Sequence, residues 1–289
     1  MDHIKFQFGS DPVIDRLYLE LIKEDLATKI SPADLLSKFT SDPGRHIVHA
    51  FVENGRMVTT NAFIKLKFHL SDTELEGYQS CFTATSRRDR GRGLWLKLMR
   101  LAESDILNSS ANFIFGFPNE ISFPIFRSRL QYEFQTYRNY FLFPKIIKPR
   151  LADHFNSCEN SILASFEDLK YWKCASPSQP SAWENNNRKN QIVMDRKKLE
   201  LYNFSLELKH ILAVDAKSPL HAEQQLRKLS GAWRIEPIYA MLPTNYHPCL
   251  FYKVPASRPF PVIMKLPSNS YILHSGYQLF IFRGTMDVS

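Results

Sequence analysis

Hydrophobic positions change their period several times along the chain, and each change marks an element. Asp11-Pro12 supplies a capping oxygen and a proline pre-set for a first helical turn. After it, Val13, Ile14, Leu17, Leu21 and Ile22 recur at helical spacing. Ser31-Pro32 repeats that start for a short helix through Leu35, Leu36 and Phe39, closed by the turn Ser41-Asp42-Pro43-Gly44. The period then falls to two. His46 to Val52 reads as a strand, Asn54-Gly55 as a two-residue hairpin turn, and the return strand begins near Met57. Along it Ile64, Leu66, Phe68 and Leu70 face one way, and Lys65, Lys67 and His69 the other. A third strand, Gly77 to Thr85, runs into a basic glycine loop. Beyond the loop Leu94, Trp95, Leu98, Met99, Ala102 and Ile106 form one apolar helical face. Ala111 to Phe117 is a short buried strand, Pro118-Asn119 opens a further helical segment, and Gln131 to Phe143 is an aromatic-rich strand. This part reads α-α-β-β-β-α-β-α-β, a mixed α/β domain over residues 1–148.

The pattern is sparser in residues 149–289. Ser176 to Asn190 holds two prolines and three consecutive asparagines and reads as an exposed linker. Strands are predicted near Leu206 to Val214, Ile235 to Met241, Val262 to Leu266 and Tyr277 to Phe282, with a helix over Ala222 to Leu229. The result is a second, smaller α/β lobe whose apolar content needs a partner surface, for which the first lobe is the candidate.

Composition excludes several classes. A hydrophobic content of 44% with 23% charged residues describes a folded, globular chain. No run approaches the roughly 18 apolar residues a membrane helix needs, and Met1-Asp2-His3-Ile4-Lys5 lacks a secretory leader pattern. Cys81, Cys158, Cys174 and Cys249 have no metal-ligand spacing and read as reduced thiols, so the expected location is the cytoplasm and no metal is expected. His221, His247 and His274 show no metal spacing either. The net charge of +8 is unevenly placed: Arg87, Arg88, Arg90, Arg92, Lys97 and Arg100 share one segment with a single acid, Asp89. No RNP-like or helix-turn-helix pattern accompanies that charge, so a nucleic-acid partner is not expected.

The loop Arg88-Asp89-Arg90-Gly91-Arg92-Gly93 is therefore the candidate anion site. It is not a P-loop, since no GxxxxGK[ST] run exists, and the dinucleotide pattern fails because Leu96 stands at its third glycine. What remains is R-x-x-G-x-G between a strand and an amphipathic helix. Glycines let the backbone turn tightly beside a ligand. Free N–H groups at the helix start, and the helix dipole, favour phosphate.

These residues resemble the R/Q-x-x-G-x-G/A signature of the GNAT superfamily of N-acetyltransferases. Phe115-Gly116-Phe117-Pro118-Asn119-Glu120 is similar to its strand-then-asparagine segment, and Leu130-Gln131-Tyr132 stands where the family often has Leu-Gly-Phe. The resemblance implies a mostly antiparallel central sheet flanked by helices, and acetyl-CoA or another acyl-CoA as co-substrate. It implies that Arg88, Asp89, Arg90, Gly91, Arg92, Gly93 and Leu94 hold the pyrophosphate. Phe82, Thr83 and Ala84 would pair with the pantetheine arm, and Asn119 would lie beside it, serve as a helix N-cap, or do both. The implied activity is acyl transfer to the amine of a small molecule such as an amino sugar, amino acid or polyamine.

One position departs from the pattern. Seven residues after Asn119, where many members carry a tyrosine that protonates the leaving thiolate, this chain has Phe126. That leaves open a second reading, an acyl-CoA-binding protein without catalysis. Glu76, Asp72 and Glu120 are candidate bases, and Tyr132 and Tyr137 are substitute acids. Cys81 reads as structural, because no histidine partner is apparent. In the second lobe Met241-Leu242-Pro243-Thr244-Asn245 faintly echoes the Gly116–Glu120 segment, so the lobe is either a degenerate GNAT-like half or an unrelated α/β unit. It carries no glycine loop, hence one CoA site is expected. Trp233, Arg234, Tyr246 and His247 are the candidate acceptor contacts.

Overall fold

The computed structural model describes residues 1–26, 43–145, 161–165, 183–184, 192–201, 204–216, 218–229, 238–268, 270 and 278–280. The short helix after Ser31-Pro32, Cys158, Cys174, Trp233, Arg234 and His274 lie outside the described residues.

The first half is a meander. β1 (Asp2–Phe6), β2 (His46–Glu53), β3 (Arg56–Leu70) and β4 (Thr73–Thr85) pair antiparallel in that order. The β2–β3 turn places Asn54 at φ 53° and Gly55 at φ 70°, the left-handed pair a tight hairpin needs. Along β3, Ile64, Leu66, Phe68 and Leu70 are buried as their alternation predicts. β1 went unpredicted because five residues at a sheet edge give too little periodicity to register. α1 (Pro12–Leu26), capped by Asp11, whose Oδ1 accepts from the N–H of Val13 at 2.8 Å, lays Tyr18, Leu21 and Ile22 on one face of the sheet. α2 (Leu94–Leu107) covers the other face with Leu98, Met99, Ala102 and Ile106, and α3 (Phe123–Ser128) packs beside it through Phe126. Between them β5 (Phe113–Gly116) runs parallel to β4, buried along its whole length as a strand covered on both sides must be. A Cβ at Gly77 would stand 2.6 Å from the rings of both Phe113 and Phe68, so glycine there permits their 4.9 Å edge contact.

The second half repeats part of this plan. β9 (Ile192–Leu201) and β10 (Phe204–Val214) form an antiparallel pair, α4 (Pro219–Leu229) follows, and β11 (Ile238–Pro243) returns parallel to β10. The strand before each helix carries a register shift, opposite Asn61 in β4 and between Ile211 and Ala213 in β10. The segment echoed in the sequence, Met241 to Asn245, therefore ends the strand topologically equivalent to β5. The predicted linker contains a two-residue strand, β8 (Trp183–Glu184), paired with β9.

The halves share one fourteen-stranded sheet. β6 (Glu133–Pro144) is its seam: β11 pairs along one edge, while β12 (Phe251–Pro255) and β13 (Phe260–Lys265) follow each other along the other. β13 inserts between β5 and β6, so a strand from the second half completes the first sheet. β7 (Ser161–Ala164) joins β3 and β14 (Gln278–Phe280).

His49 sits at the β1–β2 edge, fully buried, stacked on His3 at 5.3 Å and 3.6 Å from Asp105. Burial lowers its pKa to about 4, outweighing Asp105, which acts the other way. A base whose folded pKa lies below its ordinary 6.5 contributes full stability above pH 6.5, lost as pH falls toward 4 because only the unfolded chain takes the proton. We expect denaturant unfolding to lose roughly 3 kcal/mol across that window through this group. In His49→Gln the loss should shrink by most of that amount. An unchanged acid limb would show that His49 is not the group responsible.

Candidate functional site

The loop after β4 is built by its own side chains. Ser86 accepts the N–H of Asp89 at 2.8 Å, closing a short 3-10 turn over Arg87–Asp89. The buried Asp89 carboxylate receives Arg56 at 2.9 Å and Arg92 at 2.5 Å, and Arg56 also donates to the Ser86 hydroxyl at 3.0 Å. Burial alone would raise the Asp89 pKa, but the two guanidiniums hold it below the usual carboxylate range. Arg92 additionally makes a two-pronged contact with Glu53 at 2.9 and 3.1 Å. Arg90 pairs with Asp25 at the end of α1. Thus the side-chain charges of Arg90 and Arg92, expected to draw in a phosphate, are already matched by carboxylates. Arg88 is exposed with no carboxylate partner among the described residues.

What the loop offers an anion is accordingly its backbone. Gly91 and Gly93 adopt φ of 80° and 70°, and a Cβ on either would meet nothing within 4 Å, so the space over the loop is open. Gly93 caps α2 without a side-chain bond, and the first amide of this region that bonds within the helix is Lys97, to Gly93 at 3.1 Å. Among the described residues no acceptor takes the N–H groups of Gly91, Arg92, Gly93 and Leu94. Outward-facing amides at a helix start suit a pyrophosphate.

Beside this loop the sheet is open between two strands. β4 pairs with β5 only from Gly77↔Phe113 to Ser80↔Gly116, then continues to Thr85 paired only with β3 on its other side. β13 pairs with β5 only over residues 263–265 but with β6 from residue 260. Where β5 stops, the open edges of β4 (residues 81–85) and β13 (residues 260–262) face each other. A bulge turns the first of these edges outward: Phe82 has φ 46°, and the register slips between Thr60↔Ala84 and Ala62↔Cys81. Asn61, fully buried opposite the bulge, secures it. Its Nδ2 donates to Ser80 Oγ at 3.1 Å, and its Oδ1 accepts from the Thr83 hydroxyl. Asn61 was missed in the sequence, although Thr59-Thr60-Asn61, polar yet all buried, interrupts an apolar strand.

The remaining predicted residues divide by position. Asn119 lies at the end of β5, beside the opening, and its Oδ1 accepts from the N–H groups of Ile121 and Ser122 at 3.1 and 2.9 Å, a capping role. Glu120 follows it, exposed. Glu76 lies near the other end of β4, bonded to Lys65 at 2.5 Å and to Ser110 at 2.8 Å, and is not brought to the open edge. Tyr132 is buried against Phe126 at 5.0 Å and lies under the Lys265 ammonium, which pairs with Glu103 at 2.9 Å. Burial raises its pKa well above the ordinary tyrosine value. Phe126 itself packs edge-on to Trp95 at 5.2 Å, so the position of the expected tyrosine is occupied by core packing. Gln131 stands where the resemblance has glycine and still takes the left-handed φ, 58°. Tyr137 is fully buried on β6, with burial raising its pKa, and Asp72 lies in the β3–β4 turn.

In the second half, Tyr246 is buried and donates to Glu223 of α4, while His247 is exposed. Glu223 also accepts from the N–H groups of Cys249 at 3.0 Å and Leu250 at 2.6 Å. Tyr246 is thus an internal staple. At the start of α4 the Ser218 hydroxyl accepts the N–H of His221 at 3.1 Å, and Pro219 has no N–H to offer. The helix start that repeats α2 is closed to an anion.

No protein-family model matches the chain, and no functionally curated protein matches it in sequence. Among solved structures it is similar to Eis1 from Mycobacterium abscessus, with 11% identity and a TM-score of 0.59 over 92% of this chain and 74% of that one. A probable N-acyltransferase from Enterococcus faecalis V583, otherwise described as of unknown function, gives 9% identity and 0.55 over 92% and 73%. A GCN5-related N-acetyltransferase from Anabaena variabilis gives 7% and 0.53 over the same shares. The chain has the GNAT fold.

Proposed function

We propose that this protein is an acyl-CoA-dependent N-acyltransferase acting on the amine of a small molecule. The observation that carries the reading is the pairing of uncapped amides at Gly91 to Leu94 with the open β4 edge beside them. One binds a pyrophosphate, and the other offers a strand-like partner to the amide-bearing pantetheine arm. The acyl-transferase names borne by structures of the same fold agree with it. In the reaction the amine nitrogen attacks the thioester carbonyl carbon, the C–N bond forms, the C–S bond breaks, and the thiol leaves with the proton the amine gives up. The chain's share is to fix the loop through Asp89 and Arg92, hold the bulge through Asn61, and line the opening with β4 and β13. Of the candidate bases and acids, Tyr137 pairs with Phe260 at the open β13 edge, and Glu120 follows Asn119 in the segment after β5.

Acetyl-CoA in excess should raise the melting temperature, since a ligand at about a hundred times its Kd adds roughly 2.7 kcal/mol. Release of free thiol with a panel of amino sugars, amino acids and polyamines then separates enzyme from binder. Binding with no thiol release across the panel would favour the non-catalytic reading that Phe126 motivates. No thermal shift would remove both.

A further inference from the structure

Charge is balanced differently on the two sides of the opening. On the β4 side the guanidiniums of Arg90 and Arg92 are spent on Asp25, Glu53 and Asp89. The other side is built from β13, β12 and the seam strand β6. Residues 134–145 and 238–268, which form it, contain no aspartate or glutamate, yet they carry Arg138, Lys145, Lys253, Arg258 and Lys265. Two of these cations are answered from elsewhere: Lys265 pairs with Glu103 at 2.9 Å, and Lys145 acts on the buried Glu223 of α4. Arg138 is not. Its half-buried side chain has an enclosed Nε without an acceptor, and no carboxylate, Glu120 and Glu133 included, pairs with it among the described residues. An enclosed donor is costly unless something supplies its acceptor.

Register places Arg138 at the opening. On β6 it follows Tyr137, whose partner Phe260 begins the open β13 edge. It precedes Asn139, whose carbonyl accepts from the N–H of Ala256 at 2.9 Å and whose N–H donates to the Ser257 hydroxyl at 3.0 Å, so the bend between β12 and β13 lies alongside. Its face is fixed as well. Phe134 pairs with Ile263, which shares a core with Met99 and Ala102 of α2. Alternate residues of a strand share a face, so Thr136, Arg138 and Tyr140 stand on the side that α2 covers, the helix that begins at the Gly91–Leu94 amides. Lys253 of β12 meets them there. Its ammonium lies 4.8 Å over the Tyr140 ring and donates to the carbonyls of Thr244, at 2.9 Å, and Tyr246, both neutral acceptors. Burial lowers the Lys253 pKa and the nearby Arg138 lowers it further, with no carboxylate acting the other way.

We infer that Arg138 and Lys253 receive an anionic group, a carboxylate or a phosphate, carried by the acceptor amine. The inference rests on the proposed donor site, because the amine must reach an acyl group held at the β4 edge. A guanidinium takes either anion through two parallel hydrogen bonds, and the ammonium adds a point charge beside it. Among amino sugars, amino acids and polyamines, this selects an amino acid or an amino-sugar phosphate. It rejects a polyamine, whose own charge would meet two cations.

Thiol release from acetyl-CoA by the full-length protein tests this with amino acids and their carboxamides, glucosamine 6-phosphate, glucosamine and spermidine. The best acceptor should carry an anion, with a KM at least about tenfold below that of its uncharged counterpart. In Arg138→Gln that advantage should vanish, while kcat and acetyl-CoA affinity change by less than about threefold. Arg138→Lys, which keeps the charge but not the fork, should fall between the two. An uncharged amine or spermidine used as well as the anionic acceptors would overturn the inference. So would an Arg138→Gln variant that weakens acetyl-CoA but not its dephospho form, which would give the cations to the ribose phosphate of the donor. If acetyl-CoA does not bind, or no amine releases thiol, melting decides. The anion site then stands only if glucosamine 6-phosphate or glutamate raises the Tm of the native protein by more than that of Arg138→Gln; equal shifts would sink it.

Discussion

Gly91→Asp should abolish the thermal stabilisation that acetyl-CoA gives the native protein. Space is not the reason, for a Cβ at this position meets nothing within 4 Å. Backbone conformation contributes little, because φ is 80° and aspartate is among the residues that tolerate the left-handed region, at a cost of about 1 kcal/mol. The new carboxylate instead stands before the amides of Arg92 to Leu94, at the positive end of α2, where it is itself favoured. The unliganded protein should therefore melt within a few degrees of the native one, while phosphate is repelled and its donors are taken. Each charge-assisted hydrogen bond so lost is worth about 1.5–3 kcal/mol, and two of them amount to a factor of 100 or more in Kd. Gly91→Ala supplies the contrast: it carries the strain without the charge and should keep most of the thermal shift. Were Gly91→Asp to melt like the native protein and still be stabilised by acetyl-CoA, the loop would not be the phosphate site.

Much of this site was legible because its signals are local. The glycines at 91 and 93, the strand before them and the apolar face after them lie within one short stretch, and each has a direct physical reading. What local pattern cannot show is which charges are already spent. Arg90 and Arg92 look like ligands for phosphate until Asp25 and Glu53, distant in sequence, are seen against them. The second wall of the opening was illegible for the same reason. β13 was recognised as a strand by its apolar run, but nothing in Phe260–Lys265 says that it inserts between β5 and β6. Phe126 is a subtler case. The missing hydroxyl was visible in the sequence, whereas the packing of that ring on Trp95 and Tyr132 needs the fold.

Glu223→Ala should be the most destabilising single change in the second half. The carboxylate is buried and burial raises its pKa, yet the Tyr246 hydroxyl and the N–H groups of Cys249 and Leu250 all converge on it. Removing it leaves three donors without an acceptor in or near the core, at about 1–3 kcal/mol each. A total of roughly 3–9 kcal/mol corresponds to a fall in Tm on the order of 10 °C or more. Glu223→Gln keeps an acceptor for part of the set and should lose about half as much. The consequence reaches the opening, because the stapled loop leads directly into β12 and β13, and Lys253 of β12 ties back to the carbonyls of Thr244 and Tyr246. Once the loop is free, the β13 edge at residues 260–262 loses its anchor, so Glu223→Ala should also weaken acetyl-CoA, although α4 itself presents no anion site. A full-length variant that melts within about 2 °C of the native protein would show that the three donors find other partners. A destabilised variant with unchanged acetyl-CoA affinity would show instead that β13 keeps its place through β5 and β6 alone.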